Sequence, residues 1–72
     1  MVRYTFRVIK SRGDLVIETS KSLTDVGEAM ARAAGLALGW AQRSRDYHGG
    51  YVQVFEEGGE EIARVPIVPP YD

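Results

Sequence analysis

The stretch from Ser22 to Asp46 reads SLTDVGEAMARAAGLALGWAQRSRD, and its spacing decides the fold. At about 100° per residue, Val26, Ala29, Met30, Ala33, Ala37, Trp40 and Ala41 fall on one stripe, with Leu36 at its edge. That pattern predicts one long helix over about residues 23–46. Ser22 or Thr24 is the expected cap, Ser22 with Asp25 forming a shortened-acid relative of the capping box. Asp25 and Glu28 fall in the first turn and Arg43 and Arg45 in the last, the charge order that suits a helix dipole. Gly49-Gly50 stops any continuation. Trp40 and Met30 are the largest residues of the stripe and are expected to supply most of its buried area.

The opposite helix face carries Ala31, Gly35 and Gly39 at every fourth position, with Leu38 beside them. A glycine inside a helix costs about 1 kcal/mol relative to alanine. Two such glycines on one face suit a close-approaching backbone, and the steric reason for small-xxx-small packing does not require lipid. The alternative is a plain solvent face that tolerates glycine.

Strand patterns lie on both sides. From Val2 to Lys10, Val2, Tyr4, Phe6 and Val8 alternate with Arg3, Thr5 and Arg7, the period of a half-buried strand. Ser11-Arg12-Gly13-Asp14 is a turn. The returning strand is expected over Leu15–Thr19, with Ser20-Lys21 leading into the helix. After the loop Asp46–Gly50, a third strand runs over about 51–56. Glu57-Gly58-Gly59-Glu60 closes a hairpin, and a fourth strand covers about 61–67. Pro66 cannot donate to a ladder, which puts this strand at an edge. Pro69-Pro70-Tyr71-Asp72 reads as a short extended tail.

The order is β-β-α-β-β within one domain, residues 1–72. The connection rules favour an α+β fold: a four-stranded antiparallel sheet of order 2-1-3-4, with the helix crossing right-handedly over the first strand. One sheet face then meets the helix. If Val52 and Val54 point inward, Tyr51, Gln53 and Phe55 point outward and join Thr5, Arg7, Val16 and Glu18.

Composition sets the functional bounds. Seventy-two residues with no cysteine form at most one small domain, without disulfides or thiolate zinc ligands. Such a domain gains from a partner surface, so a homodimer is expected. Nine basic and ten acidic residues leave a net charge of −1. That argues against a general nucleic-acid binder, which needs a basic footprint. The most apolar run, Ala29–Ala41, is thirteen residues with Arg32 inside it, too short to span a bilayer. The first residues alternate and carry arginines, unlike a signal peptide. The expectation is a cytoplasmic protein with no membrane partner.

No catalytic pattern emerges. Glu56, Glu57, Glu60 and Glu61 cluster at the second hairpin, where a tip offers no pocket to desolvate a carboxyl. They fit solvated charges guarding an edge strand. His48 is the one histidine and has no second imidazole or thiol for a metal site. There is no nucleophile elbow and no phosphate loop. The reading is a non-enzyme without cofactor or metal. The candidate interface residues are Ala31, Gly35, Leu38 and Gly39 on the helix and Arg7, Tyr51, Gln53 and Phe55 on the sheet. An apolar sheet face left in water is a liability, so burial against a second copy is expected. Gly35→Leu separates the two faces: it weakens assembly through the helix and spares assembly through the sheet.

Arg3-Tyr4-Thr5-Phe6, Leu23-Thr24-Asp25 with Glu28-Ala29 and Arg32-Ala33, Val52-Gln53-Val54, Glu57-Gly58 and Val65-Pro66 together resemble a family of short uncharacterised domains. Its members occur mostly in soil and plant-associated alphaproteobacteria. The resemblance spans almost the whole chain and implies the β-β-α-β-β order. It implies no activity, because the family's function is unknown. Thr19-Ser20-Lys21 stand where members usually carry acidic and glycine residues.

The leading expectation is a non-enzymatic homodimeric module that binds protein. One alternative is an antitoxin-like or regulatory partner, by fold-level analogy. The other is a weak single-stranded nucleic-acid binder, using aromatics and arginines on the open sheet.

Overall fold

The computed structural model describes residues 1–69; the expected tail positions Pro70, Tyr71 and Asp72 lie outside the described residues. The elements are β1 (Val2–Ile9), β2 (Leu15–Leu23), α1 (Val26–Arg43), a 3-10 turn (Arg45–Tyr47), β3 (Tyr51–Phe55) and β4 (Glu61–Pro66). The sheet has four strands in the order β2-β1-β3-β4, and every neighbouring pair is antiparallel. The helix packs on one face of it. The fold is α+β, with the strand order that the connection rules select.

Both hairpins use one device. Gly13 N–H donates to the Lys10 carbonyl and Lys10 N–H to that of Asp14; Gly59 N–H donates to Glu56 and Glu56 N–H to Glu60. Gly13 and Gly59 hold φ of 93° and 91°. Each is a three-residue loop: a tight turn closed by a left-handed glycine whose twist suits the strands.

The inward residues of β1 and β3 form the core. Tyr4, Phe6, Val8, Val52 and Val54 are buried, joined by Ile67. Ile67 N–H donates to the Gly50 carbonyl, which continues the β4 side past Pro66.

The helix differs from expectation in three ways. Its buried residues are Ala29, Ala33, Ala37 and Ala41, an alanine seam at every fourth position. Val26 is 45% exposed, and Trp40 and Met30 are half-buried at the margins. The bulk comes from the sheet, because large side chains rising from β1 and β3 leave room only for methyl groups beneath the helix. The second difference is the cap. Asp25, not Ser22 or Thr24, caps the helix: Glu28 N–H donates to Asp25 Oδ1 at 3.0 Å, and Thr24 N–H donates to Glu28 Oε1 at 2.7 Å. This is the capping-box logic shifted toward the C-terminus. The third is length. The helix ends at Arg43, where Ser44 is extended and its hydroxyl accepts from Asp46 N–H.

β2 is longer than expected. It continues through Ser20, Lys21 and Ser22 to Leu23, paired from Val2↔Leu23 to Arg7↔Glu18. The polar run read as a lead-in is strand, because β1 offers a partner backbone along its whole length.

Candidate functional site

The outer sheet face is assembled by register. Arg7 sits between Glu18 of β2 and Gln53 of β3, Thr5 between Ser20 and Phe55, and Gln53 opposite Arg64. Tyr51, Gln53 and Phe55 therefore point away from the helix beside Arg7. Their surroundings are polar. Arg7 Nε donates to Glu18 Oε1 at 2.6 Å, and its guanidinium lies 5.0 Å from the Phe55 ring centroid. Arg64 pairs with Glu61 at 2.5 Å and stacks 4.8 Å from the Tyr51 centroid. Gln53 Nε2 donates to Glu61 Oε2. The expected apolar face is thus two aromatic rings roofed by arginines, whose long side chains cover apolar surface while their charges meet carboxylates.

Glu61 sits at the centre of this network. The hydrogen bond from Arg64 holds its carboxyl below the ordinary value of 4.5, helped by Gln53 and opposed by partial burial. On the inner face, burial pushes the Tyr4 phenol above its ordinary value, with the carboxylates of Glu56 and Asp25 adding to the effect.

The four helix candidates lie on the solvent side of the single chain. Ala31, Gly35, Leu38 and Gly39 are exposed, Leu38 at 52%. A Cβ added at Gly35 or Gly39 meets nothing within 4 Å. Within one chain, nothing approaches the backbone there. Helix and sheet candidates occupy opposite sides of the molecule and do not form one site.

Two grooves flank the helix. On the β4 side, Ala34, Ala37, Leu38, Val65, Pro66, Val68 and Pro69 line about 280 Å³. On the β2 side, Ile17, Leu36, Gly39, Trp40 and Arg43 line about 400 Å³. The helix packs most heavily on β3, then β4, and equally lightly on β1 and β2. Leu15 and Ile17 of β2 are 54% and 43% exposed. Among the described residues β2 pairs with β1 alone. This edge is the feature that sequence reasoning missed. Its signal was the length of β1: eight residues of strand call for a partner of similar length, so Thr19, Lys21 and Leu23 continue the face of Ile17, while the register shift at Val16 sets Leu15 opposite Ile9.

Trp40 belongs to a stack at the end of the helix rather than to the core. Its ring meets Tyr47 edge-on at 4.9 Å, Arg43 covers it at 4.5 Å, and Lys10 lies 5.7 Å from the Tyr47 ring. His48 Nε2–H donates to the Ala41 carbonyl at 2.8 Å, satisfying one of the orphan acceptors that a helix end leaves. Arg32 Nε is buried with no hydrogen-bond acceptor, its guanidinium 5.9 Å from the Phe6 ring centroid.

The acidic residues of the second hairpin stay apart. Among the described residues, no group of three or more histidines and carboxylates could hold a metal ion. No helix among them is long and apolar enough to cross a membrane. Compared with protein-family models, with curated proteins and with solved structures, the chain matches none.

Proposed function

We propose that the protein is a small non-enzymatic interaction module of the bacterial cytoplasm that acts as a homodimer and presents its surface to protein partners. The observation that carries the reading is where apolar side chains remain in water. Ile17 and Leu38 are exposed on the helix-bearing side, each lining one of two apolar grooves. The helix contributes an alanine seam, so the chain's own interior is small, without a disulfide to supplement it. A partner surface is the ordinary way for so small a domain to enlarge its core. Membership in the alphaproteobacterial family of short domains is part of this proposal and rests on the motif resemblance alone.

Size-exclusion chromatography with light scattering at micromolar concentration tests it. The expected mass is twice the 8.0 kDa of one chain. A strict monomer removes the reading.

Tyr51 and Phe55 on the open sheet, beside Arg7 and Arg64, favour single-stranded nucleic acid as the second reading. Both arginines already pair with carboxylates, so phosphate has to compete for them. Fluorescence anisotropy with short RNA at low salt decides the matter, because phosphate attraction is greatest there. Absence of binding under those conditions excludes it.

A further inference from the structure

We infer that the groove between α1 and β2 holds an anionic amphiphile, an apolar chain of medium length that ends in a carboxylate. The carboxylate sits on Arg32, and the chain runs along Leu36 and Ile17 toward Trp40. The inference goes beyond the protein-interaction reading and does not depend on how many copies assemble.

Arg32 is the starting point. Its guanidinium lies 5.9 Å from the ring centroid of Phe6, a fully buried residue of β1 beneath the helix. Thr19 of β2 stands opposite Phe6 and Lys21 opposite the buried Tyr4, so Thr19 and Lys21 share the helix-bearing face. Arg32 precedes Leu36 by one helical turn, and Leu36 lines the groove with Ile17. The guanidinium is thus at the end of the groove nearer the start of the helix. Its Nε is the one buried side-chain nitrogen or oxygen among the described residues that has no hydrogen-bond partner. The two ion pairs among those residues, Arg7–Glu18 and Arg64–Glu61, lie on the outer sheet face. A partly desolvated cation without a carboxylate is costly, and an anion on its terminal N–H groups offsets that cost.

Charge around the groove has one sign. Lys21 and Arg32 stand at one end and Arg43 at the other. On the facing rows between them, Ile17 and Thr19 on β2 and Leu36, Gly39 and Trp40 on α1, there is no acid. Glu28, one turn before Arg32, is taken up by Thr24 N–H at 2.7 Å. The negative end of the helix dipole disfavours an anion beside Arg43, so the carboxylate belongs at Arg32. Between the two ends the lining is apolar. Ile17, Leu36, Gly39 and Trp40 border about 400 Å³, within the range of small-molecule sites. Arg32 to Arg43 is eleven residues, about 16 Å of helix axis. One alkyl chain spans that length, whereas a single side chain of a protein partner does not. Gly39 keeps the path open: no atom of the protein lies within 4 Å of where its Cβ would be, so the chain can lie against the helix backbone.

Trp40 is the single tryptophan, so its fluorescence reads the groove directly. The probes are decanoate, decanol and decyltrimethylammonium, each below its aggregation limit, with affinities checked by calorimetry. Decanoate is expected to saturate the Trp40 signal and to bind about ten-fold more tightly than decanol, the gain from a charge-assisted hydrogen bond. Decyltrimethylammonium is expected to bind more weakly than either. Arg32→Gln is expected to remove the preference for decanoate over decanol, and Gly39→Leu to weaken both by filling the groove; circular dichroism checks the fold of each variant. The comparison of probes on the unaltered chain needs neither variant to fold. No saturable binding of decanoate, equal binding of decanol or of the cation, or a decanoate preference that survives Arg32→Gln overturns the inference and leaves Arg32 as a cation that only packs on Phe6. Light scattering reads the mass separately: a single chain that binds decanoate with this preference keeps the inference and removes the homodimer reading.

Discussion

Two residues have consequences that their sequence context only partly announces. Gly49-Gly50 was legible as a stop after the helix, because paired glycines break a helical run. The reason for Gly50 was not legible. It is buried at the start of β3, where an added Cβ would overlap the carbonyl oxygen of Ile9. Backbone cannot yield there as a flexible side chain can. Gly50→Ala is therefore expected to destabilise the fold by about 3 kcal/mol or more, read as a lowered urea midpoint. Glu61 bears on pH. Its folded pKa lies below the unfolded value near 4.5, because Arg64 and Gln53 hydrogen-bond the carboxylate. Its contribution is fully present above pH 4.5 and disappears as pH falls through the lowered folded value. An NMR titration should place the Glu61 carboxyl midpoint below 4.5, and Glu61→Gln should flatten that part of the acid unfolding profile. Glu61 was read as a solvated charge near the hairpin tip. It sits at the ladder bulge, close enough to meet Arg64 and Gln53, and no spacing rule announces that bulge.

At the scale of elements, α1 was legible as a helix because its period persists over many turns. Its inner face was harder. Periodicity identifies which residues share a side, but the depth of each depends on what the sheet sends up. Phe6, Tyr4 and the valines fill the layer, so alanines win the centre and Trp40 moves to a margin with Tyr47 and Arg43. On the outer face, Gly35 and Gly39 meet nothing within one chain. Gly35→Ala and Gly39→Ala should each stabilise the fold by about 0.5–1 kcal/mol through helix propensity. For a domain of this size 1 kcal/mol corresponds to a rise of about 4–8 °C in melting temperature. Gly35→Leu separates the candidate interfaces: loss of the dimer in that variant assigns the helix face, and an unchanged assembly state assigns the sheet. The cap shows the same limit of local reading. Ser22, Thr24 and Asp25 all suit the position, and the choice fell to Asp25 because β1 holds the chain in strand through Leu23.

For the whole molecule, the strand order was legible because few topologies satisfy antiparallel pairing, an uncrossed connection and a helix over one face. The surfaces were less so. Alternation assigned Arg7, Tyr51, Gln53 and Phe55 to the outer side, but not the arginine roofs that make that side polar, since those depend on register between distant strands. The longest sheet edge came from the extension of β2 through Leu23, which local composition hid. On the proposed reading, a domain with an alanine-lined interior and apolar side chains left in water gains core from a second copy. Amide hydrogen exchange at low and high protein concentration tests that most directly. Exchange on one surface is expected to slow as concentration rises and the mass doubles. Exchange that is independent of concentration throughout, with the mass remaining that of one chain, would contradict it.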